Sequence, residues 1–414
     1  RRTERRGGRP IGVRGWRAVN ALFLVTTILE ALAMGHLTAF TPLFLAELGL
    51  ERQEVNGWTG LLYGAMMAVA FPLAPFWGAL AERYSRRLII VRSQYLAALA
   101  YAATAFAPDI WWALTARLVL GLTFGNIAVV IATQAQLTPR RHLGTAIATI
   151  QVAAPVAASI GPPVGAALIG QVGLRGLFLI DAALALVAAL LTTFLMPEPE
   201  RHRPTTSVLA RTRHTAALVW DRPAVRWNFG GWFLAQGGRA TVDAYLPLRI
   251  AELVDDPAPI IGLVLGVYGV LTAVATWLAA KLVDEDGGIR WLLPSMAVAA
   301  VATVAMVAVP SVWVVAVSHW SRALAFAAAN TLLYAHLARC LPPTEQTAVM
   351  SLTPMPRNVA MFVVPMLAAA VAPLGVGAAL LVGAGSYAGG AVVGRLAERA
   401  TRAGGIHPAS AGEA

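Results

Sequence analysis

The sequence predicts an all-α, polytopic membrane protein with twelve transmembrane helices in two sets of six. Three observations lead there. The 414 residues are 58% hydrophobic and only 13% charged, against about 25% charged in a typical globular chain, and the mean hydropathy is +0.66. Apolar stretches long enough for the roughly 30 Å bilayer core recur along the whole length. The loops between them alternate between basic and acidic.

Each element has its own justification in the sequence. The arm 1–16, "RRTERRGGRPIGVRGW", is basic and runs directly into a first span at 17–45, so it reads as a cytoplasmic arm and not a cleavable signal. A second span, 56–80, carries no charge from Asn56 to Trp77. Spans at 88–107 and 110–134 are parted by "APD", and 143–170 follows "TPRRH". The short "QVG" separates it from 174–196. The stretch 197–223, rich in Pro, Thr and Arg, reads as a cytoplasmic linker. Then come 224–250, 260–283 after "DDP", 290–309 after "DEDGG", 311–338 after Pro310, 346–371 after "LPPTE", and 374–396. The expected organisation is therefore an arm (1–16), a six-helix bundle (17–196), the linker (197–223), a second bundle (224–396) and a cytoplasmic tail (397–414).

Charge sets the orientation. With the N-terminus inside, 25 of the 32 basic residues fall on the inner side, three (Arg52, Arg175, Arg249) on the outer side and four within spans. This asymmetry obeys the positive-inside rule and places both termini in the cytoplasm. It also accounts for the net charge of +11 without a nucleic-acid partner. The single cysteine, Cys340, excludes an intrachain disulfide.

The densest charged cluster, "GALAERYSRR" at 78–87, sits in the inner loop after the second span. It resembles the loop signature of the major facilitator superfamily, Gly-x-Leu-x-Asp-Arg-x-Gly-Arg-Arg/Lys. Gly78, Leu80, Arg83, Arg86 and Arg87 match, while Glu82 stands for Asp and Ser85 for Gly. A degenerate echo, "AKLVDEDGGIR", stands 202 residues later, with Asp284 at a matching position. That is what two parallel six-helix repeats leave behind. The resemblance implies two pseudo-symmetric bundles that work by alternating access. It also implies a conformational latch built from Gly78, Glu82, Arg83, Arg86, Arg87 and Asp284.

Two further motifs resemble those of the drug/proton antiporters in that superfamily. In the fourth span, "RLVLGLTFG" places Arg117, Gly121 and Gly125 four apart. In the fifth, "AASIGPPVGAAL" carries Gly161, Pro162 and Gly165 of the antiporter signature, with Ala157 and Ala166 for the outer glycines. Pro162 and Pro163 lack amide donors and are expected to bend the helix against the eighth span.

Ionisable side chains at membrane depth are functional candidates by default. The chain has Glu30, Asp181, Asp243, Arg117, Arg239, Arg322 and Arg357 there. The resemblance implies that spans 1, 4, 7 and 10 line the central cavity, and five of the seven lie on them. Arg239 and Asp243, four apart, share a helix face and are expected to pair. Glu30 has no basic partner on its own helix, and Arg117 is expected to reach it across the cavity. The proton-coupling set is thus Glu30, Asp243 and Arg117. The substrate-facing set is Arg239, Arg322, His36, Asn126 and Tyr268, with Tyr63, Tyr245 and Trp232 as a further aromatic wall. His36 reads as an interfacial contact or a relay, Asp181 as a partner of Arg175 or of outer water, and Arg357 as a contact between halves or with substrate.

No phosphate-binding loop and no His or Cys metal spacing occurs, so neither ATP, metal nor other cofactor is expected. The expectation is a monomeric secondary transporter of a prokaryotic inner membrane, exchanging protons for small amphiphilic or cationic compounds. The alternatives are a metabolite or lipid-linked symporter or uniporter on the same fold, or a membrane enzyme or sensor.

Overall fold

The computed structural model describes residues 15–83, 85–197, 219–283, 288–341, 343–350 and 352–403, all helical or in short connections. The helices are α1 (Trp16–Glu47), α2 (Arg52–Arg83), α3 (Arg86–Ala105), α4 (Ile110–Gly121), α5 (Asn126–Leu137), α6 (Leu143–Gln151) and α7 (Ala153–Leu195). After the linker come α8 (Pro223–Ala251), α9 (Pro257–Ala279), α10 (Leu292–Ala308), α11 (Val312–Arg339), α12 (Pro343–Met350), α13 (Pro354–Val371) and α14 (Val376–Ala403). Local signals fix the starts of several. Ser85 accepts from the Leu88 amide at the head of α3, and Asp109 accepts from the Trp112 amide at the head of α4. Pro opens α8 and α9, where its missing N–H costs nothing.

Among the described residues, nine segments are long and apolar enough to cross a membrane, fewer than the twelve expected. The difference has a physical origin. Arg140–Leu195 counts as one 56-residue segment although Gly173 breaks it with φ 72°. Helices α2 and α8 are absent from the nine. In α8 the run is diluted by Asn228, Gln236, Arg239 and Asp243.

The fourth span also departs from expectation. It was to be continuous over 110–134; instead it is two helices, α4 and α5, separated by a turn at 122–125 with Gly125 at φ 101°. Such a break frees carbonyl groups inside the membrane, and these must find donors. Arg92 of α3 supplies one, donating to the Leu122 carbonyl at 3.2 Å while its guanidinium lies 3.3 Å over the Trp77 ring.

Packing before the linker is echoed after it. Helix α4 packs on α2 and α3, as α11 packs on α9 and α10. Helix α7 packs on α1 and α3, as α14 packs on α8 and α10. Buried apolar residues such as Phe23, Phe40, Phe178, Trp232, Tyr245 and Leu333 fill these contacts. Large apolar residues including Leu99, Trp111, Phe194, Val301 and Leu367 remain on the outside, where lipid is the solvent.

The parts before and after the linker meet along two seams. Helix α2 packs on α13: a Cβ on Gly60 would stand 2.8 Å from the Pro365 carbonyl, and one on Gly64 would stand 2.6 Å from Met366. Helix α9 packs on α7 through Gly262, Gly266 and Gly269. A Cβ at 262 would lie 2.9 Å from the Pro162 carbonyl, and one at 266 would lie 2.6 Å from the Pro163 ring. Beside this second seam runs an apolar groove of about 590 Å³, lined by Ser159, Pro163, Ala166, Leu263, Gly266 and Val270. All these contacts lie toward the membrane face where α1 ends and α2 begins. The ion pair Arg52–Glu252, 3.3 Å, bridges the two parts on that same face.

Candidate functional site

Three clusters of ionisable residues stand among the described helices. The first surrounds Glu30. Its Oε1 accepts from Gln94 Nε2 of α3 at 2.7 Å, and its Oε2 accepts from Asn126 Nδ2 at 2.8 Å. Asn126 is the first residue of α5, so the break at Gly125 delivers both this amide and the helix start to the carboxyl. A cavity of about 270 Å³ opens there, lined by Glu30, Met34, Tyr101, Thr123, Phe124 and Asn126 among others. Every residue lining it lies between 27 and 154, so the space belongs to the part before the linker.

Arg117 does not join Glu30, contrary to expectation. Its Nη2 donates to Thr41 Oγ1 at 2.6 Å, and Thr41 donates to the Leu37 carbonyl. Thr41 stands three helical turns beyond Glu30, about 16 Å along the axis, too far for one guanidinium to serve both. Arg117 is 3% exposed and borders a small space of about 20 Å³ beside Thr38, Thr59 and Tyr63.

The second cluster is His36 with Asp181. His36 Nδ1 lies 2.7 Å from Asp181 Oδ1 and Nε2 lies 2.9 Å from the Gly161 carbonyl. Both side chains are sealed, at 2% and 0% exposure. His36 is therefore not the interfacial contact that was one of its two expected roles, and Asp181 reaches neither Arg175 nor the surface. Arg175 turns instead to Glu47 (3.3 Å) and the Ala105 carbonyl (2.9 Å). Gly165 makes room for the ring; a Cβ there would lie 2.7 Å from His36 Cδ2 and Phe40 Cε2.

The third cluster centres on Asp243 of α8. Arg239 Nη1 lies 2.9 Å from Oδ2, one helical turn away on the same face, and Arg239 Nε also donates to Gln236. Arg322 of α11 donates from Nη2 to the other oxygen, Oδ1, at 2.7 Å and from Nη1 to the Tyr387 hydroxyl at 3.0 Å. The Arg322 guanidinium sits 5.0 Å over the Tyr268 ring, and Tyr268 is tilted against His319. Asp243 therefore holds two arginines, one of them fully buried. Tyr63 of α2 lies in electrostatic range of Arg239, Asp243 and Arg357, which carries the cluster across the divide. Arg357 itself is exposed and contacts only Asn358, at 3.4 Å, among the described residues.

The loop cluster is only partly described. Gly78, Glu82 and Arg83 belong to the end of α2, and their side chains lie outside the described residues, as does Asp284 altogether. Arg86 donates to the Ala132 carbonyl (3.2 Å) and to Gln136 (2.7 Å), tying the start of α3 to α5. Arg87 is half-buried. Gly161, Pro162 and Gly165 all lie in α7, where they face His36 on one side and α9 on the other. Tyr245 packs its hydroxyl against Gly60, and Trp232 packs edge-on to Tyr334.

Sequence reasoning missed Gln94, Tyr101, Arg322's bond to Asp243, Tyr387 and the His36–Asp181 pair. A signal existed for some of these: Gln94 is a lone amide in an apolar span, and Asp181 and His36 each lacked a same-helix partner. Which helices face each other is not written in spacing along one helix.

Buried charge clusters, a cavity and glycine-lined helix seams in a polytopic membrane protein fit the build of a multi-pass transporter. The chain belongs to the Major Facilitator Superfamily, whose family profile matches residues 22–255. Among curated relatives it is 28% identical over 306 residues to the multidrug resistance protein MdtG of Citrobacter koseri, covering 72% of this chain and 74% of the relative. It is 29% identical over 293 residues to MdtG of Serratia proteamaculans, covering 69% and 70%. Among solved structures it is similar in fold to a bacterial homologue of the human lysosomal transporter Spinster, inward-facing and occupied. The TM-score there is 0.75, with 15% identity over 94% of this chain and 98% of that one. The nucleoside transporter NupG gives a TM-score of 0.76 at 11% identity, covering 92% and 99%.

Proposed function

We propose that this protein exports small amphiphilic compounds across a bacterial cell membrane in exchange for protons, with Glu30 as the proton-coupling carboxyl. The observation that carries the reading is the environment of Glu30: a cavity-lining carboxyl held by two neutral amides and, among the described residues, by no cation. Such a group can change charge without breaking an ion pair, whereas Asp243 would have to release two arginines. Similarity to the MdtG multidrug resistance proteins supports the substrate class.

The architecture behind this proposal is twelve spans in two six-helix bundles, 17–196 and 224–396, with both termini cytoplasmic and the chain acting as a monomer. The repeated packing pattern supports it, as does a count that restores α2 and α8 and divides Arg140–Leu195 at Gly173. In that orientation the seams seal the outer half, so the structure corresponds to an inward-facing state. Glu82 with the arginines of the 78–87 loop would latch the outward-facing state instead.

The test is proton release from detergent-purified protein on adding ethidium, a lipophilic cation, or carboxyfluorescein, an anionic dye. Wild type should release protons and Glu30→Gln should not, since the amide mimics the protonated form. Undiminished release by Glu30→Gln would remove Glu30 from coupling. A second reading, that the substrate is anionic, is favoured by one observation. In the third cluster Arg239 and Arg322 both bond one acid, Asp243, and Arg357 lies in electrostatic range of Arg239. Release by carboxyfluorescein and not by ethidium would select it.

A further inference from the structure

We propose that His36 and Asp181 form a second proton-binding site, and that its proton fastens the outer side shut by clasping α1 to both arms of α7. The argument is a count of protons imposed by geometry. The Gly161 carbonyl can only accept, so His36 Nε2 must carry a hydrogen to bond it at 2.9 Å. Nδ1 and Asp181 Oδ1 are 2.7 Å apart, which requires one further proton between them. Imidazolium with carboxylate, or imidazole with carboxylic acid, satisfies both contacts. Remove one proton and either Nδ1 faces Oδ1, or Nε2 faces the Gly161 carbonyl, lone pair against lone pair. One of the two bonds is then lost.

The position makes that loss matter. Asp181 lies beyond the Gly173 break in α7, whereas Gly161 lies before it, in the proline segment pressed against α9. His36 on α1 therefore joins the outer-gate segment to the span that follows it. Asp181 Oδ2 is buried without a hydrogen-bond partner among the described residues. The neighbouring titratable and charged groups are Tyr101 of α3, in electrostatic range of Asp181, and beyond it Arg117 of α4 and Glu30 of α1. None contacts the pair.

The sign suits an exchanger. A proton taken up while the outer side is open would favour closure and return to the inward-facing form; loss of that proton loosens the clasp. This goes beyond the role proposed for Glu30 and rests on the exporter reading only for the direction of travel.

The test uses the full chain in nanodiscs, Cys340→Ser, with spin labels at Glu51→Cys and Asp256→Cys across the outer face. Working in a Glu30→Gln background makes the outcome independent of Glu30. Raising the pH should lower the ratio of closed to open distances by about tenfold, the effect of one buried hydrogen bond. Asp181→Asn supplies a non-titrating N–H to Nδ1, so it should stay closed at every pH. His36→Gln, which cannot bridge both partners, should also lose the pH dependence but lie toward open. A wild-type ratio that ignores pH would overturn the proposal. So would a folded variant of either residue that titrates as wild type.

Discussion

Arg322 offers the sharpest test of how the C-terminal part is held together. Its side chain is fully buried, and its Nη2 bonds an Asp243 carboxylate that is itself only 16% exposed. Replacing Arg322 by Met keeps much of the volume and removes the charge, leaving Asp243 with Arg239 alone and the Tyr387 hydroxyl without its donor. Breaking a buried pair costs about 3–5 kcal/mol when the surviving charge is stranded. The remaining Arg239 bond puts Arg322→Met at the lower end, about 3 kcal/mol. Arg239 is 25% exposed and partly screened by solvent, so Arg239→Met should cost less, about 1–2 kcal/mol. At about 2–4 °C per kcal/mol for a unit of some 150–250 residues, Arg322→Met should lower the melting temperature by on the order of 10 °C. Arg239→Met should lower it by only a few degrees. Adding Asp243→Asn to Arg322→Met should recover part of the loss, with a coupling of at least about 1 kcal/mol. The assay is thermal unfolding of the purified protein in one detergent, followed by intrinsic fluorescence. Equal losses for the two arginine variants, or strictly additive double mutants, would refute the reasoning.

Two further outcomes follow from the backbone. Gly266→Val would drive a side chain into the Pro163 ring and the Ser159 carbonyl, so closure of the α7–α9 seam should fail; outer-face label distances should lengthen while the protein stays folded. Gly125→Ala would force an L side chain to φ 101°, at a cost of about 1 kcal/mol or more. It should also displace Asn126 from Glu30, so substrate-induced proton release should fall more than stability does.

Much of the fold was legible because membranes impose one-dimensional rules. Span length, the basic loops and the proline or acidic punctuation located nearly every helix within a few residues. The Arg239–Asp243 contact was equally readable, since a separation of four sets two side chains on one face. What escaped was everything that depends on the rotation of one helix against another. Arg322 and Asp243 lie 79 residues apart, and His36 and Asp181 lie 145 apart; no spacing rule connects them. The error over Arg117 was one of depth: its partner is Thr41, three helical turns along α1 from Glu30. The break at Gly125 was hidden because glycine is common in membrane helices and only its positive φ separates a packing residue from a turn.

The α7–α9 seam has a consequence for the bilayer itself. Because glycine and proline meet there without interlocking side chains, the two surfaces can part without any rotamer having to be rebuilt. The groove beside them is apolar, with Leu263 and Val270 exposed at its edge, so hydrocarbon is the solvent that would face it. Each rocking movement must then expel or admit hydrocarbon, so the membrane is a participant in the switch as well as its container. Tail saturation and lateral pressure are then expected to shift the conformational equilibrium.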